Sequence, residues 1–302
     1  MPLRHDIRRG VILMLTACAL FVVMNGFVKL LGDRVPFPEQ MFFRSAFAMP
    51  VVLLIVLRAQ RGRGVIGALR TKRFPGHMLR ALTGTAAMSC SFYALTVLPL
   101  AEQQALTNST PIFITLLSIP FLGEKVGIHR GGAVMVGFIG IIVIALGQGA
   151  FAGNLTGTAK WGLIAAVVQG VFSACTTLLV RNLSATEAST TIVLWQSLLM
   201  TGITATALPF VWVPPDLHDF AVLMLIGVVG GVAQVLLTEA WASAQVSALA
   251  PYSYSSLLWA ALLGWIAFGD VPGLPTLAGA ALIVAASLYI LHREIILRRR
   301  RR

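Results

Sequence analysis

The chain has 302 residues, of which 57% are hydrophobic and only 11% are charged. A soluble domain carries about 25% charged residues, so this composition excludes an ordinary soluble protein. The net charge of +12 does not indicate a nucleic-acid partner, because the basic residues flank long apolar stretches. Such stretches cross a bilayer as helices or as a closed barrel. They do not alternate in polarity, which favours helices.

The apolar stretches predict ten membrane-spanning helices of about 20 residues each. Pro36, Pro214 and Pro272 lie between stretches and support the boundaries. The first stretch follows basic residues as a signal peptide would, but it is long and no cleavage site follows it. We therefore expect it to be retained as a helix. The predicted spans are 11–31, 39–57, 76–97, 102–122, 131–149, 160–180, 190–212, 219–239, 246–268 and 274–291.

The distribution of basic residues predicts the orientation of these spans. With the N-terminus in the cytoplasm, 19 of the 23 Lys and Arg residues lie on the cytoplasmic side. Lys29, Arg34 and Lys160 lie on the outer side, and Arg44 lies within a span. Both termini are therefore expected in the cytoplasm. The basic residues from Arg298 to Arg302 are expected to contact anionic lipid there, or alternatively a protein partner.

The ten predicted spans divide into two related halves. Because five is an odd number, the second half enters the membrane from the opposite side, as in many transporters. We expect a first half at residues 1–150, an inverted second half at 151–292 and a basic tail at 293–302. The aligned pairs include Lys29 with Arg181, Phe43 with Trp195, Ser45 with Ser197, Gly84 with Gly230, Thr107 with Ser253, and Gly123-Glu124 with Gly269-Asp270.

Two segments carry a family resemblance. Ala94-Leu95, followed by Leu122-Gly123-Glu124-Lys125, resembles the signature of the drug/metabolite transporter superfamily. The segment from Ala250-Pro251-Tyr252 to Gly269-Asp270 resembles its EamA-like domain, with Asp270 where Glu is typical. The resemblance covers about residues 8–292. It implies an all-α membrane fold of ten helices, with a cavity between the third, fourth, eighth and ninth.

The same resemblance implies export of small metabolites such as amino acids. Within the superfamily, the chain resembles the bacterial aromatic amino acid exporters. This implies a multi-pass protein of the bacterial inner membrane that moves its substrate by alternating access. Organic cations or drugs, and nucleoside- or vitamin-like metabolites, are the alternative substrates.

Arg44 lies within the second predicted span, where an ionisable group is costly and usually functional. Its guanidinium is suited to bind a substrate carboxylate with two hydrogen bonds. Two structural interpretations stay open, namely pairing with Glu39 and extension to the outer surface. The repeat places the uncharged Gln196 at the equivalent position, so any required charge belongs to one half only.

Polar side chains and prolines within the spans predict a water-accessible cavity. Hydrogen bonding between helices is the other interpretation of these side chains. Aromatic residues there could offer a stacking surface to an aromatic side chain or a flat cation. The predicted substrate-binding residues are Arg44, Met88, Phe92, Thr107, Asn108, Gln234, Thr238, Trp241, Tyr252, Ser253 and Tyr254.

Glu102 and Glu239 lie at the ends of predicted spans. Each is interpreted either as a carboxylate that couples transport to protons or as a solvated group at the helix end. An enzyme is not expected, because the five histidines lie at termini or connectors and no titratable groups pair within the spans. No catalytic, metal-binding or cofactor-binding residue is predicted. A channel or membrane scaffold is the remaining alternative, although no ring of charges indicates a filter. The expected partners are a small-molecule substrate and the lipid bilayer. The oligomeric state stays open, and a monomer is compatible with the sequence.

Overall fold

The computed structural model describes residues 7–59, 69–122, 128–147, 157–187, 189–243 and 246–300. Within these ranges the fold is all-helical, which confirms the predicted class. The helices are α1 (Ile7–Leu30), α2 (Phe37–Ala59), α3 (Phe74–Val97), α4 (Leu100–Thr107), α5 (Thr110–Leu122), α6 (Ile128–Gly147), α7 (Gly157–Leu183), α8 (Ser189–Ala205), α9 (Leu208–Val211), α10 (Leu217–Ser243), α11 (Val246–Ser253), α12 (Ser255–Phe268) and α13 (Leu274–Arg300).

The helices carry apolar side chains on their outer as well as their inner faces. Within the described ranges, four segments are long and apolar enough to cross a membrane, namely Ile7–Leu30, Gly157–Val180, Leu217–Leu237 and Leu274–Arg293. Gly131–Gly147 and Thr191–Ala205 are shorter apolar helices. Large apolar side chains such as Leu258 and Ile266 are 74% and 71% exposed. Such an exterior suits lipid as the surrounding solvent.

Helices from the first and second parts of the chain pack against each other throughout the fold. α1 packs along α10, and α3 packs along α7. α6 packs along α13, while α2 contacts both α8 and α10. The apolar surface of each part is therefore buried in good measure against the other part.

α6 and α13 approach most closely at two glycines. A Cβ atom at Gly140 would lie 2.7 Å from the carbonyl oxygen of Gly279, and a Cβ at Gly279 would lie 2.6 Å from that of Gly140. Both distances are shorter than a carbon–oxygen contact allows. Small residues permit this approach between membrane helices.

Three predicted spans are interrupted rather than continuous. The span predicted at 102–122 consists of α4 and α5, separated at Asn108-Ser109. The span predicted at 246–268 consists of α11 and α12, separated at Tyr254. The span predicted at 190–212 consists of α8 and the short α9, separated at Thr206-Ala207. The first two interruptions lie inside apolar stretches, where a free backbone group is costly.

Pro111 accounts for the break between α4 and α5. Proline has no N–H for the carbonyl of Thr107, and its ring clashes with that carbonyl in a continuous helix. The Thr110 hydroxyl donates to the Thr107 carbonyl at 2.8 Å instead. The Ser109 hydroxyl donates to the carbonyl of Leu106 at 2.6 Å. Side-chain hydroxyls thus satisfy carbonyls that the break leaves free.

Candidate functional site

Arg44 lies between α2, α3 and α10. Its Nη1 lies 3.4 Å from the sulfur of Met88, and its Nε lies 3.8 Å from the position of a Cβ at Gly230. The Nε is buried without a hydrogen-bond partner. Among the described residues, no carboxylate forms an ion pair with this guanidinium. A thioether is a weak acceptor, so the charge of Arg44 is left uncompensated.

Glu39 is not the structural partner of Arg44. It is 0% exposed, and its Oε2 accepts a hydrogen bond from the backbone N–H of Val213 at 3.1 Å. The carboxylate thus holds the segment before α10 against the start of α2. The ion-pair interpretation of Arg44 is therefore wrong.

Gln196 of α8 has surroundings that correspond to those of Arg44. Its Nε2 donates to the sulfur of Met200 at 3.3 Å. The same atom lies 3.9 Å from the position of a Cβ at Gly84. Arg44 and Gln196 thus each face a methionine sulfur and a glycine.

A network of amides and hydroxyls joins α3, α4 and α7. The amide nitrogen of Gln103 donates to the hydroxyls of Ser91 and Thr107, both at 3.0 Å. The Thr107 hydroxyl lies 3.0 Å from the Oε1 of Gln169. Gln103 and Gln169 are 1% and 6% exposed, and the Oε1 of Gln103 is buried without a partner. We call Ser91, Gln103, Thr107 and Gln169 the glutamine network.

Two helix breaks are connected through α13. The Ser287 hydroxyl donates to the carbonyl of Asn108 at 3.4 Å, and the same Ser287 side chain lies close to the Tyr254 hydroxyl. The Nδ2 of Asn108 is buried without a partner. The structure therefore brings Thr107, Asn108 and Tyr254 together, with free hydrogen-bonding atoms beside the breaks.

The other predicted binding residues are more dispersed. Met88 and Phe92 are 9% and 2% exposed and belong to one apolar core cluster. Gln234 is half-buried. Tyr252 is 40% exposed, and the carbonyl of Ser253 faces the Cys18 sulfur at 3.7 Å. The side chains of Thr238 and Trp241 lie outside the described part of the structure.

Of the glutamine network, Thr107 was among the predicted binding residues, but Ser91, Gln103 and Gln169 were not. Helical spacing identifies a buried face by its contrast with a polar face, and a membrane helix has no such contrast. The usable signal was simpler, since Gln103, Gln104 and Gln169 are amides within apolar stretches. Gln104 donates to the Ser256 hydroxyl at 3.1 Å and connects α4 to α12.

The charged and aromatic candidates have varied surroundings. Glu102 is 5% exposed and accepts from the Thr276 hydroxyl at 2.9 Å, so it is not a solvated end group. Glu239 is exposed and pairs with Arg9 at 3.4 Å. His77 lies inside α3 and is 1% exposed, contrary to its expected place in a connector. Trp161 and Trp265 are both 61% exposed, so neither contributes to an interior stacking surface.

Asp216, His218 and Asp219 bring possible metal-ligand atoms within 4.8 Å of one another. Their contacts are those of a helix start. Asp216 Oδ1 accepts from the backbone N–H of Asp219 at 2.6 Å, which caps α10. Asp219 forms an ion pair with Arg34 at 3.0 Å. These carboxylates thus have structural partners.

Comparison with known proteins identifies the family. The model of the EamA-like transporter family matches residues 8–146 and again residues 160–292. The chain belongs to the EamA-like transporter family. As a member of this family, it is a multi-pass membrane protein that transports small metabolites, and it is not an enzyme.

Relatives of the EamA-like chain have diverse named substrates. It is 31% identical to the pseudopaline exporter of Pseudomonas aeruginosa over 94% of this chain and 96% of the exporter. It is 30% identical to the riboflavin transporter of Vibrio cholerae over 100% of this chain and 99% of that protein. It is 27% identical to the S-adenosylmethionine uptake transporter of Rickettsia bellii, over 88% and 87% of the two chains.

A solved crystal structure has the same fold. It matches with a TM-score of 0.61 over 93% of this chain and 95% of that chain, at 20% identity. At this sequence identity, the match supports a shared fold and no shared function.

Proposed function

We propose that the chain exports an amino acid or a related zwitterion, with aromatic amino acids as the first candidates. The observation that carries this proposal is the Arg44 guanidinium, which no carboxylate of the described residues pairs with and whose Nε is buried without a hydrogen-bond partner. A buried cation is stabilised by an anionic partner. A substrate carboxylate supplies two acceptor oxygens in the geometry that a guanidinium binds. Cargo, rather than a protein side chain, then completes this site.

We infer that transport proceeds by alternating access between two inverted five-helix halves, at 1–150 and 151–292. The helix breaks support this architecture, since the register that aligns Gly84 with Gly230 superimposes α4 on α11. The packing also supports it. α1, the first helix of the first half, packs along α10 of the second half, and α7, the first helix of the second half, packs in the same way along α3 of the first half. Rocking of such halves exposes a central site to each side in turn.

The proposed topology has ten spans, with both termini in the cytoplasm of a bacterium and the protein in the inner membrane. α1, α7, α10 and α13 contain the four long apolar segments. The other spans are α2, α3, α6 and α8, and the broken pairs α4–α5 and α11–α12. The basic tail at 293–302 then faces the anionic lipid of the cytoplasmic surface.

In the proposed complex, the substrate lies between Arg44 and the helix breaks. Its carboxylate binds Arg44, and its amino group faces the buried Oε1 of Gln103. Phe92 and Tyr254 supply aromatic contacts to the side chain. Gln234, Thr238 and Trp241 of α10 stay predicted contacts, as do Tyr252 and Ser253.

A vitamin-like metabolite is the second candidate. The riboflavin transporter of Vibrio cholerae aligns with the whole of this chain. The free acceptor of Gln103 and the free donor of Asn108 suit the edge of a heteroaromatic ring. Organic cations are less favoured, because Arg44 repels a like charge.

Counterflow in proteoliposomes tests the proposal, with tryptophan, phenylalanine, riboflavin, uridine and tetraphenylphosphonium as probes, with and without a pH gradient. We expect saturable exchange of tryptophan or phenylalanine. Arg44→Gln introduces the residue type that the second half has at the equivalent position, Gln196. It should weaken the apparent affinity for the amino acid by about tenfold or more. Arg70→Gln removes an exposed cation and is the matched control.

The outcomes separate the candidates. Exchange of riboflavin without exchange of any amino acid favours the second candidate. Single-channel currents would contradict a transporter altogether. The site assignment is wrong if Asn108→Ala, Gln234→Ala and Tyr254→Ala all leave the kinetics unchanged.

A further inference from the structure

A buried basic pair lies in the first two turns of α3. His77 and Arg80 are three residues apart on one helix face and are 1% and 7% exposed. The His77 ring stacks on Trp195 of α8, with ring centroids 6.1 Å apart and planes 30° apart. The Nη1 of Arg80 donates to the carbonyl of Ile192, also in α8, at 3.2 Å. Contacts to α8 thus hold both side chains in place.

This pair has free hydrogen-bonding atoms inside the protein. Both ring nitrogens of His77 and the Nε of Arg80 are buried without a partner. The nearby carboxylate of Glu187 accepts from the Thr71 hydroxyl at 2.7 Å and forms no ion pair with Arg80. Arg73, the other charged group acting on His77, binds Asn182. Buried polar groups normally have partners, so these atoms indicate a ligand that supplies acceptors.

The fold does not require polar residues at these two positions. In the alignment of the two halves that matches Gly84 with Gly230, Leu223 is equivalent to His77 and Ile226 is equivalent to Arg80. Both are 0% exposed in an apolar core cluster. The basic pair is therefore an addition to one half, and packing alone does not explain it.

We propose that His77 and Arg80 form an anion-binding site for a carboxylate or phosphate group at the cytoplasmic end of α3. The guanidinium supplies a planar pair of donors, and the imidazole supplies a further donor beside it. The N-terminus of α3 adds the positive end of the helix dipole. The buried guanidinium offers donors only and carries a positive charge, so a cationic group is disfavoured there.

The role of this site rests on the proposed function. In an exporter, the cytoplasmic end is where cargo enters. The site then holds the acid group of the cargo before it reaches Arg44. The His77/Arg80 pair and Arg44 would then bind the acid group of the substrate one after the other along its path through the membrane.

Equilibrium binding tests the site without requiring transport. The protein is placed in phosphatidylcholine nanodiscs and titrated with sodium acetate and with inorganic phosphate at constant ionic strength. Trp195 emission reports occupancy, because its indole stacks on the His77 ring. We expect a saturable change for the wild type and none for Trp195→Phe. The double variant His77→Leu with Arg80→Ile should bind about tenfold more weakly or not at all.

The variants are chosen so that a folding defect is recognised. The double variant copies the residues of the second half, and thermal unfolding checks that it stays folded. His77→Gln and Arg80→Lys keep polar groups, and we expect affinities between those of the wild type and the double variant. Arg70→Gln removes an exposed cation before α3 and should bind as the wild type does. Equal affinity in the wild type and the double variant would overturn the site.

A lipid headgroup is the other source of an anionic group. Nanodiscs that contain phosphatidylglycerol test it in a parallel titration. If the reporter responds to this lipid and to neither soluble anion, the cargo role is overturned. A protein that binds acetate but shows no counterflow keeps the site and loses the proposed function. If counterflow is intact and equal in the double variant, the cargo role of the site is overturned and the proposed function stands.

Discussion

Lys29 and Asp270 form an ion pair that joins the first helix of the chain to the loop after α12. The Nζ lies 3.1 Å from Oδ2, and the same ammonium group donates to the carbonyl of Leu98 at 2.9 Å. The side chains are 18% and 33% exposed, so water screens the pair only in part. Gly269 orients Asp270, because its left-handed backbone, with φ 68°, ends α12. Three segments of the chain thus meet at one ammonium group.

We expect Lys29→Met and Asp270→Asn each to lower the stability of the purified protein. A partly buried pair with a further hydrogen bond contributes about 1 kcal/mol, which corresponds to roughly 3 °C in Tm for a chain of this size. Exchanging the charges, with Lys29→Asp and Asp270→Lys together, should recover part of this loss. Thermal unfolding in detergent measures the effect.

The pair of Arg9 with Glu239 is the matched control. Its side chains are 63% and 52% exposed at a separation of 3.4 Å. Exposed pairs contribute little to stability, so Arg9→Gln should leave Tm nearly unchanged. An equal loss from both pairs would show that net charge, and not the Lys29 contact, determines the effect.

Gly140 gives a second prediction, because it contacts the backbone of Gly279. Gly140→Ala places a Cβ 2.7 Å from the Gly279 carbonyl, which should destabilise the protein by about 1–3 kcal/mol. Gly132→Ala in the same helix is the control, since nothing lies within 4 Å of its Cβ position. There the gain in helix propensity of about 0.5–1 kcal/mol should dominate. Tm values that fall equally in both variants would contradict the close contact.

The sequence predicted helices where the bilayer determines them. A span predicted at 76–97 corresponds to Phe74–Val97, and one predicted at 11–31 corresponds to Ile7–Leu30. Apolar length is sufficient information for these elements. The sequence predicted continuous spans at Asn108 and Tyr254, although prolines within the spans were part of the prediction of a cavity. Whether a proline bends or interrupts a helix depends on which neighbours satisfy the freed carbonyl, and sequence alone does not specify them.

The candidate site was predictable only in part. Arg44 was identified because a charge within a span is rare. Its contacts were not predictable, since Met88 and Gly230 come from other helices. His77 was placed in a connector because it lies at the edge of an apolar stretch. Its burial results from packing against Trp195, which is far away in the sequence.

Pro111→Ala is expected to separate stability from transport. Alanine restores the N–H that the Thr107 carbonyl lacks and should extend a continuous helix through Asn108. Tm should stay the same or rise. The free Nδ2 of Asn108 would then move away from the break, and counterflow should fall by about tenfold or more.

Pro120→Ala provides the control within the same helix. Pro120 is exposed inside α5, where the helix continues through it. Its replacement should leave counterflow unchanged. Full activity of Pro111→Ala would mean that the break between α4 and α5 has no part in substrate binding.

Single-cysteine labelling tests the proposed topology in intact cells. Cys18, Cys90 and Cys175 are free thiols and are first replaced by alanine. Asp33→Cys and Arg70→Cys then place one exposed thiol before α2 and one before α3. A membrane-impermeant maleimide should label position 33 from outside and position 70 only after permeabilisation, because basic residues are retained on the cytoplasmic side. Labelling of both from outside would show that α2 does not cross the bilayer, and the opposite pattern would reverse the orientation and make Arg80 an outward-facing cation.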